Sequence, residues 1–157
     1  MRRTSFEDMN CSVAQCLEVI GEWWSMLIVR DLFLGVRRFD AIQERLGISR
    51  NVLADRLDHL MAHGVVERRP YQERPVRHEY VLTDKGRALW PVLSALREWG
   101  DRYRAPEGAP LDVVHAGCGH PVHLVATCEG CGAAVGPRDV EARPGPGARA
   151  AVAPRRG

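Results

Sequence analysis

A mainly helical fold carrying one small β-hairpin is the class this sequence predicts, on three observations. Apolar residues recur at spacings of three and four over most of residues 12–103, the period of an amphipathic helix. The period shortens to two in "VVERR" and "VRHEYVL", as in half-buried strands. Glycines 35, 47 and 64 follow three of the apolar runs, where helices commonly end on a left-handed residue.

Each element follows in order. Ser12 and Gln15 read as a capping box, after which Val13, Leu17, Ile20 and Trp24 repeat at 4, 3, 4, predicting a helix to about Gly21. "WWSMLIVRDLF" is apolar nearly all round and predicts a deeply buried second helix stopped by Gly35. Asp40 is placed as the cap of a short third helix with Phe39, Ile42 and Leu46 inward. Ser49 starts the fourth, which is expected to bury Val52, Leu53, Leu57, Leu60 and Met61. The strands are joined through "PYQERP", with Val76, His78, Tyr80 and Leu82 on one face. Thr83 caps a last long helix that Gly86 and Pro91 weaken or kink and that stops before Pro106. The expected core is Leu27, Ile28, Leu32, Ile42, Leu46, Leu53, Leu57 and Leu60.

The chain of 157 residues, 45% hydrophobic, is large enough for one core plus an appendage. It divides into an arm (1–10), a domain (11–105), a Pro/Gly linker (106–110), a Cys/His segment (111–140) and a tail (141–157) expected to be disordered. The start lacks the apolar run of a signal peptide and no stretch reaches the ~20 residues of a membrane span, so a cytoplasmic protein with no membrane partner is expected. Five cysteines, an odd number, argue for metal ligation or thiol chemistry over a disulfide framework. The net charge of +2 decides little; the clustering of arginine matters more.

Two short helices joined by the tight "LGIS" turn, then a hairpin, have the order of a winged helix-turn-helix, whose second helix enters the major groove of DNA. Residues 37–80 hold nine arginines against seven acids, a modest excess that a solvated surface would also show. With Leu53, Leu57 and Leu60 inward, the fourth helix turns Asn51, Ala54, Asp55, Asp58 and His59 outward. Asn51 suits adenine and Asp55 the cytosine amino group, while Ser49 and Arg50 sit at the helix start. Arg38 and Arg56 complete the basic set near this helix. Arg74, beside Pro75 at the wing tip, is the best phosphate or minor-groove candidate, with Arg68, Arg69 and Arg77 on the backbone. A surface ion pair is an equal alternative for at least one of them. Asp58 is expected to be solvated or ion-paired.

The blocks "CSVAQCLEVIGEWWSMLIVRDLFLGVRRFDAIQERLGISRNVLADRL", "LMAHGVVERRPY", "RPVRHEYVLTDKGRAL" and "VLSALREWG" closely resemble the HxlR-type regulators, a MarR-like winged helix-turn-helix family, over about residues 10–103. The resemblance implies a homodimeric regulator binding double-stranded DNA, often a repressor of a neighbouring gene. The family commonly carries basic or hydroxyl residues where this chain has Asn51, Ala54 and Asp55. Several members sense oxidants or electrophiles through an N-terminal cysteine, and Cys11 stands at the matching place.

Cys11 precedes the first helix, whose unpaired amides favour a thiolate; packing as a small residue against a partner subunit is the alternative. Cys16, a rise of ~7.5 Å and a turn of ~140° further on, is badly placed to bridge to it within one helix. Two apolar stripes, Val13, Leu17, Ile20 and Trp24 on the first helix and Val92, Leu96, Trp99 and Tyr103 on the last, either pack on each other or pair across a two-fold axis. Pairing implies a homodimer on a pseudo-palindromic operator. A small-molecule effector site among Trp23, Trp24 and Trp99 is open, although aromatics there are more often core.

His115-x2-Cys118 and Cys128-x2-Cys131 have the spacing of a closed, structural Zn²⁺ site, with His120 or His123 as substitute ligands. The alternative is a flexible tail with incidental cysteines. Such a segment resembles the Cys/His extensions of longer HxlR-type members. No residue set reads as catalytic: Ser/His/Asp order, a phosphate-cradling loop and a pocketed carboxylate pair are all missing. The rival reading is a zinc-stabilised protein-interaction module whose winged helix binds no specific DNA.

Overall fold

The computed structural model describes residues 5–148; positions 1–4 of the expected arm and 149–157 of the expected tail lie outside the described residues. Four helices come first: α1 (Ser12–Ile20), α2 (Trp23–Phe33), α3 (Phe39–Leu46) and α4 (Arg50–Ala62). The antiparallel strands β1 (Val66–Glu73) and β2 (Val76–Leu82) follow, then the one-turn α5 (Asp84–Arg87) and the long α6 (Trp90–Arg104). Gly47 and Gly64 end α3 and α4 at φ +64° and +67°, the left-handed geometry that a side chain resists. Ser49 Oγ accepts from Val52 N–H at 3.3 Å and caps α4. Thr83 Oγ1 caps α5 by accepting from Gly86 N–H at 3.1 Å, and donates to the Gly64 carbonyl at 2.6 Å.

Several boundaries differ from expectation. Cys11, not Ser12, is the N-cap of α1, and it makes no side-chain cap bond. The capping box does not form because the Gln15 amide is already engaged, donating to the carbonyls of Phe6, Glu7 and Met9 at 2.9, 3.1 and 2.9 Å. Arg38 is the N-cap of α3; Asp40 lies in its first turn and pairs with Arg50 at 2.8 Å. "PYQE" belongs to β1, which passes a residue without an N–H by a bulge between Pro70 and Gln72, leaving Arg74 and Pro75 as the connection. The expected kink in the last helix is a break between α5 and α6 at Ala88 and Leu89. The last helix stops at Arg104, as Pro106 requires.

The core gathers Ile28, Val29, Leu32, Ile42, Ile48, Leu53, Leu57, Leu60, Val65, Val66 and Leu82. Leu27 and Leu46 are only half-buried, Met61 packs at the margin, and Val52 is exposed. The α2 seam runs through Ser25, Ile28, Val29 and Leu32, which puts Leu27 on its flank and leaves Trp23 88% exposed, so α2 is not buried all round. At the centre of that seam Asp31 is 0% exposed. Arg30 Nε and Nη2 donate to its Oδ1 at 3.0 and 2.8 Å, and Arg45 Nε to its Oδ2 at 3.4 Å, tying α2 to α3.

Beyond α6, residues 106–110 form no helix or strand, and residues 111–140 hold only the isolated bridges Val114–Pro121 and Thr127–Ala134. Part of the expected disordered tail has a defined place: Asn10 Nδ2 donates to the Gly147 carbonyl at 3.0 Å, which brings the end of the described chain back to the arm. Among the described residues no helix is long and apolar enough to cross a membrane.

Candidate nucleic-acid interface

Packing brings the start of α4 and the base of the hairpin onto one side of the core. The Arg50 guanidinium lies 4.8 Å above the Phe39 ring, and Phe39 in turn lies 6.4 Å from Tyr80 of β2. Tyr80 N–H donates to the Arg37 carbonyl at 2.8 Å, and the Arg38 guanidinium sits 5.0 Å from the centre of the Tyr71 ring. The α2–α3 loop, the N-terminus of α4 and the wing are thus joined by direct contacts. Ser49, Arg50 and Asn51 are exposed there.

The face of α4 that remains open is narrower than periodicity alone suggests. Asn51, Asp55 and Asp58 are exposed, whereas Ala54 is half-buried. His59 turns toward α1, its Nε2 lying 3.2 and 3.1 Å from the carbonyl oxygens of Glu18 and Val19; it holds two helices together and is not an outward reader. Arg56, with a side chain 18% exposed, lies against Glu22 at 3.5 Å and pairs with Asp55. Its guanidinium is mostly buried between Glu22 and Asp55 and is not free on the open face. Arg50 is engaged with Asp40 and with the Gln43 side-chain oxygen at 3.5 Å, so a phosphate would have to compete with the carboxylate.

The hairpin register distributes the wing arginines over both faces. Arg68 stands opposite Tyr80, on the face that carries Val66 and Leu82 into the core, while Arg69 stands opposite Glu79. Because successive side chains alternate, Arg68 and Arg69 point opposite ways. After the bulge Arg77 pairs with Gln72 and falls on the Glu79 side. Arg69 is held by Glu67, and Arg37 lies 3.9 Å from Glu79. Arg74 is exposed at the tip, where its carbonyl accepts from Gln72 Nε2 at 3.0 Å.

The two apolar stripes fare differently. Val92, Leu96, Trp99 and Tyr103 all stay exposed, Trp99 at 60%, and so do Val13 and Leu17. Ile20 is buried and Trp24 packs against the core, so the second half of the α1 stripe is satisfied within the chain. The three tryptophans do not share a pocket: the open groove on α6 is lined by Pro91, Val92, Ala95, Leu96 and Trp99, without Trp23 or Trp24.

In the Cys/His segment, His115 Nδ1 lies 3.2 Å from Cys118 Sγ. Backbone N–H groups of Cys131 and Gly130, with the Cys131 thiol, hold the Cys128 thiol below its ordinary pKa. Cys11, Cys118, Cys128 and Cys131 are exposed and no cysteine is in a disulfide. Among the described residues no three His, Cys, Asp or Glu side chains form a metal-sized cluster; the four expected ligands stand as two separate pairs. His120 and His123 are exposed, and His123 Nδ1 lies 3.8 Å from Glu98 of α6.

A helix pair closed by a left-handed glycine, a second helix capped by serine and a wing joined to it through Arg50, Phe39 and Tyr80 define a winged helix-turn-helix protein of the transcription-regulator class. The chain belongs to the HxlR-like helix-turn-helix family, whose model matches residues 19–108. It is 43% identical over 143 residues to an uncharacterized HTH-type transcriptional regulator of Mycobacterium tuberculosis, covering 90% of each chain. It is similar to PA1607, a candidate transcription factor of known structure, at 44% identity and a TM-score of 0.81 over 89% of this chain and 99% of that one. The oxidized form of the redox regulator HypR matches at 32% identity and a TM-score of 0.55, over 60% of this chain and 98% of that one. The protein is thus an HTH-type transcriptional regulator, not an enzyme.

Proposed function

We propose that this chain works as a homodimeric repressor that reads a pseudo-palindromic DNA operator with α4 and the wing. The observation that carries the dimer is the exposed stripe Val92, Leu96, Trp99 and Tyr103 on α6, with Val13 and Leu17 of α1 exposed as well. Apolar area of this kind loses about 25 cal/mol per Å² while it faces water, and a second copy covers it. Two-fold symmetry then sets two α4 helices about 34 Å apart, one turn of DNA. Asn51 in the first turn of α4 and Asp55 in the second, once its carboxylate leaves Arg56, are the base readers, and Arg74, Arg68, Arg69, Arg77 and Arg38 make the sequence-independent contacts. Bound across a promoter, such a dimer blocks transcription.

Footprinting on the DNA upstream of the chain's own gene tests this. A protected palindrome, with affinity falling steeply as salt rises through counterion release, is expected. Arg74→Ala should weaken all sequences alike and flatten the slope of log K against log salt by about one, whereas Asn51→Ala should relax preference at one base pair. Binding that ignores salt and sequence would favour the protein-interaction reading. Leu96→Glu should yield a monomer by sedimentation and lose about tenfold or more in operator affinity, the equivalent of at least about 1.4 kcal/mol.

An electrophile input acts through Cys11. It is exposed at the N-cap of α1, the helix that bears Val13 and Leu17, and a redox regulator stands among the solved relatives. The Cys11 thiolate adds to a quinone ring carbon; the C–S bond forms and the proton goes to the ring oxygen. Quinone should release the wild type from DNA and leave Cys11→Ser bound; equal release of both would remove Cys11 from the mechanism.

A further inference from the structure

The Cys/His segment contains the same turn twice. In the first, His115 N–H donates to the His120 carbonyl at 2.9 Å, Gly119 N–H returns to the His115 carbonyl at 2.7 Å, and Val122 N–H reaches the Val113 carbonyl at 2.9 Å. Thirteen residues on, Cys128 N–H donates to Ala133 at 2.9 Å, Gly132 N–H returns to Cys128 at 2.8 Å, and Val135 N–H reaches Ala126 at 2.9 Å. The isolated bridges Val114–Pro121 and Thr127–Ala134 fall at the same two places. Gly119 and Gly132, each directly after the second donor residue of its turn, have φ of +72° and +71°, where a Cβ is strained.

Little of this repeat is shared at the level of sequence: "HAGCG" and "CEGCG" have in common two glycines and one cysteine, and His115 replaces a cysteine. What is shared by chemistry is a metal donor at the first and fourth position of each turn. No residue from 111 to 140 is buried, so no apolar core holds either turn. Segments this small then depend on a disulfide or a metal, and no cysteine here is in a disulfide.

We propose that the two turns close on one structural Zn²⁺ held by His115, Cys118, Cys128 and Cys131. Three thiolates and one neutral imidazole make a soft, tetrahedral set that suits zinc and leaves no open position. Binding releases the three thiol protons, and no electron moves. The pairs stand apart, and the ion draws the turns together about the stretch between them. That stretch is anchored on α6: Leu124 N–H donates to Glu98 Oε1 at 2.9 Å and Arg97 Nη2 to the Val122 carbonyl at 3.4 Å. The ion therefore fixes the segment against the same helix that bears the exposed stripe.

Zinc measured on the full-length protein after dialysis against metal-free buffer should be one ion per chain. Cys128→Ser/Cys131→Ser and His115→Ala/Cys118→Ser should each lose it, and Cys11→Ser/Cys16→Ser should keep it. Cobalt(II) added to the metal-stripped wild type, which needs no variant to fold, should give the intense ligand-field bands and sulfur charge transfer of a tetrahedral thiolate site. A wild type without zinc whose cobalt spectrum stays that of the hydrated ion would overturn the proposal. So would full zinc in either turn variant, or loss of zinc in the Cys11/Cys16 variant.

Discussion

Gly86→Ala should destabilise the domain by about 2–3 kcal/mol, although it replaces a helical glycine with the best helix former. Propensity alone predicts the opposite, a gain of up to about 1 kcal/mol. The close approach of another backbone decides the sign. A Cβ on Gly86 would stand 2.1 Å from the Val65 carbonyl oxygen and 3.1 Å from Leu82 Cδ2. That carbonyl cannot step aside, because it accepts from Thr83 N–H at 3.1 Å. Urea unfolding measures the effect, and a stabilised Gly86→Ala would show that α5 does not press on the β1 entrance. Gly100, whose added Cβ meets nothing within 4 Å, is the control: Gly100→Ala in the Leu96→Glu background should gain about 0.5–1 kcal/mol.

Asp31→Ala should cost about 2–3 kcal/mol, the range for charge-assisted hydrogen bonds made by a buried acceptor. The carboxylate is 0% exposed, while the side chains of Arg30 and Arg45 are 38% and 49% exposed. Removing Asp31 leaves two arginines that water can still hydrate, so the loss falls short of that for a stranded buried charge. The neighbouring Arg45→Gln should cost less than about 1 kcal/mol, since its other side already faces solvent. Chemical denaturation at neutral pH separates the two. Equal, small losses would mean that the carboxylate is reached by water and does not lock α2 to α3.

Asp31 shows why part of this molecule was hidden from a linear reading. Within "MLIVRDLF" it and Arg30 look like a short polar interruption of an apolar run, and nothing local says that Arg45, fourteen residues on, will meet it. The same limit applies to α4. Periodicity correctly turned Leu53, Leu57 and Leu60 inward, but it divides a helix into two faces where the fold has three. Arg56 and His59 lie on the third, against Glu22 and the end of α1, and only the position of α1 removes them from the reading surface. The wing arginines were legible as a basic cluster; their division between two faces depends on a register set by the bulge at Tyr71.

Local chemistry carried the architecture. Left-handed glycines, the Ser49 and Thr83 caps and the change of period from 3.6 to 2 act within a few residues of one another, so the order of helices, turn and hairpin follows from the chain alone, as does membership of a regulator family written in contiguous motifs. Contacts between distant residues settled the rest: the cap of α1 passed to Cys11 because the arm folds back to use Gln15, the α1 stripe was half consumed by the core, and Gly86 became a packing requirement. Those outcomes depend on which surfaces meet at long range, a quantity that no window along the sequence contains.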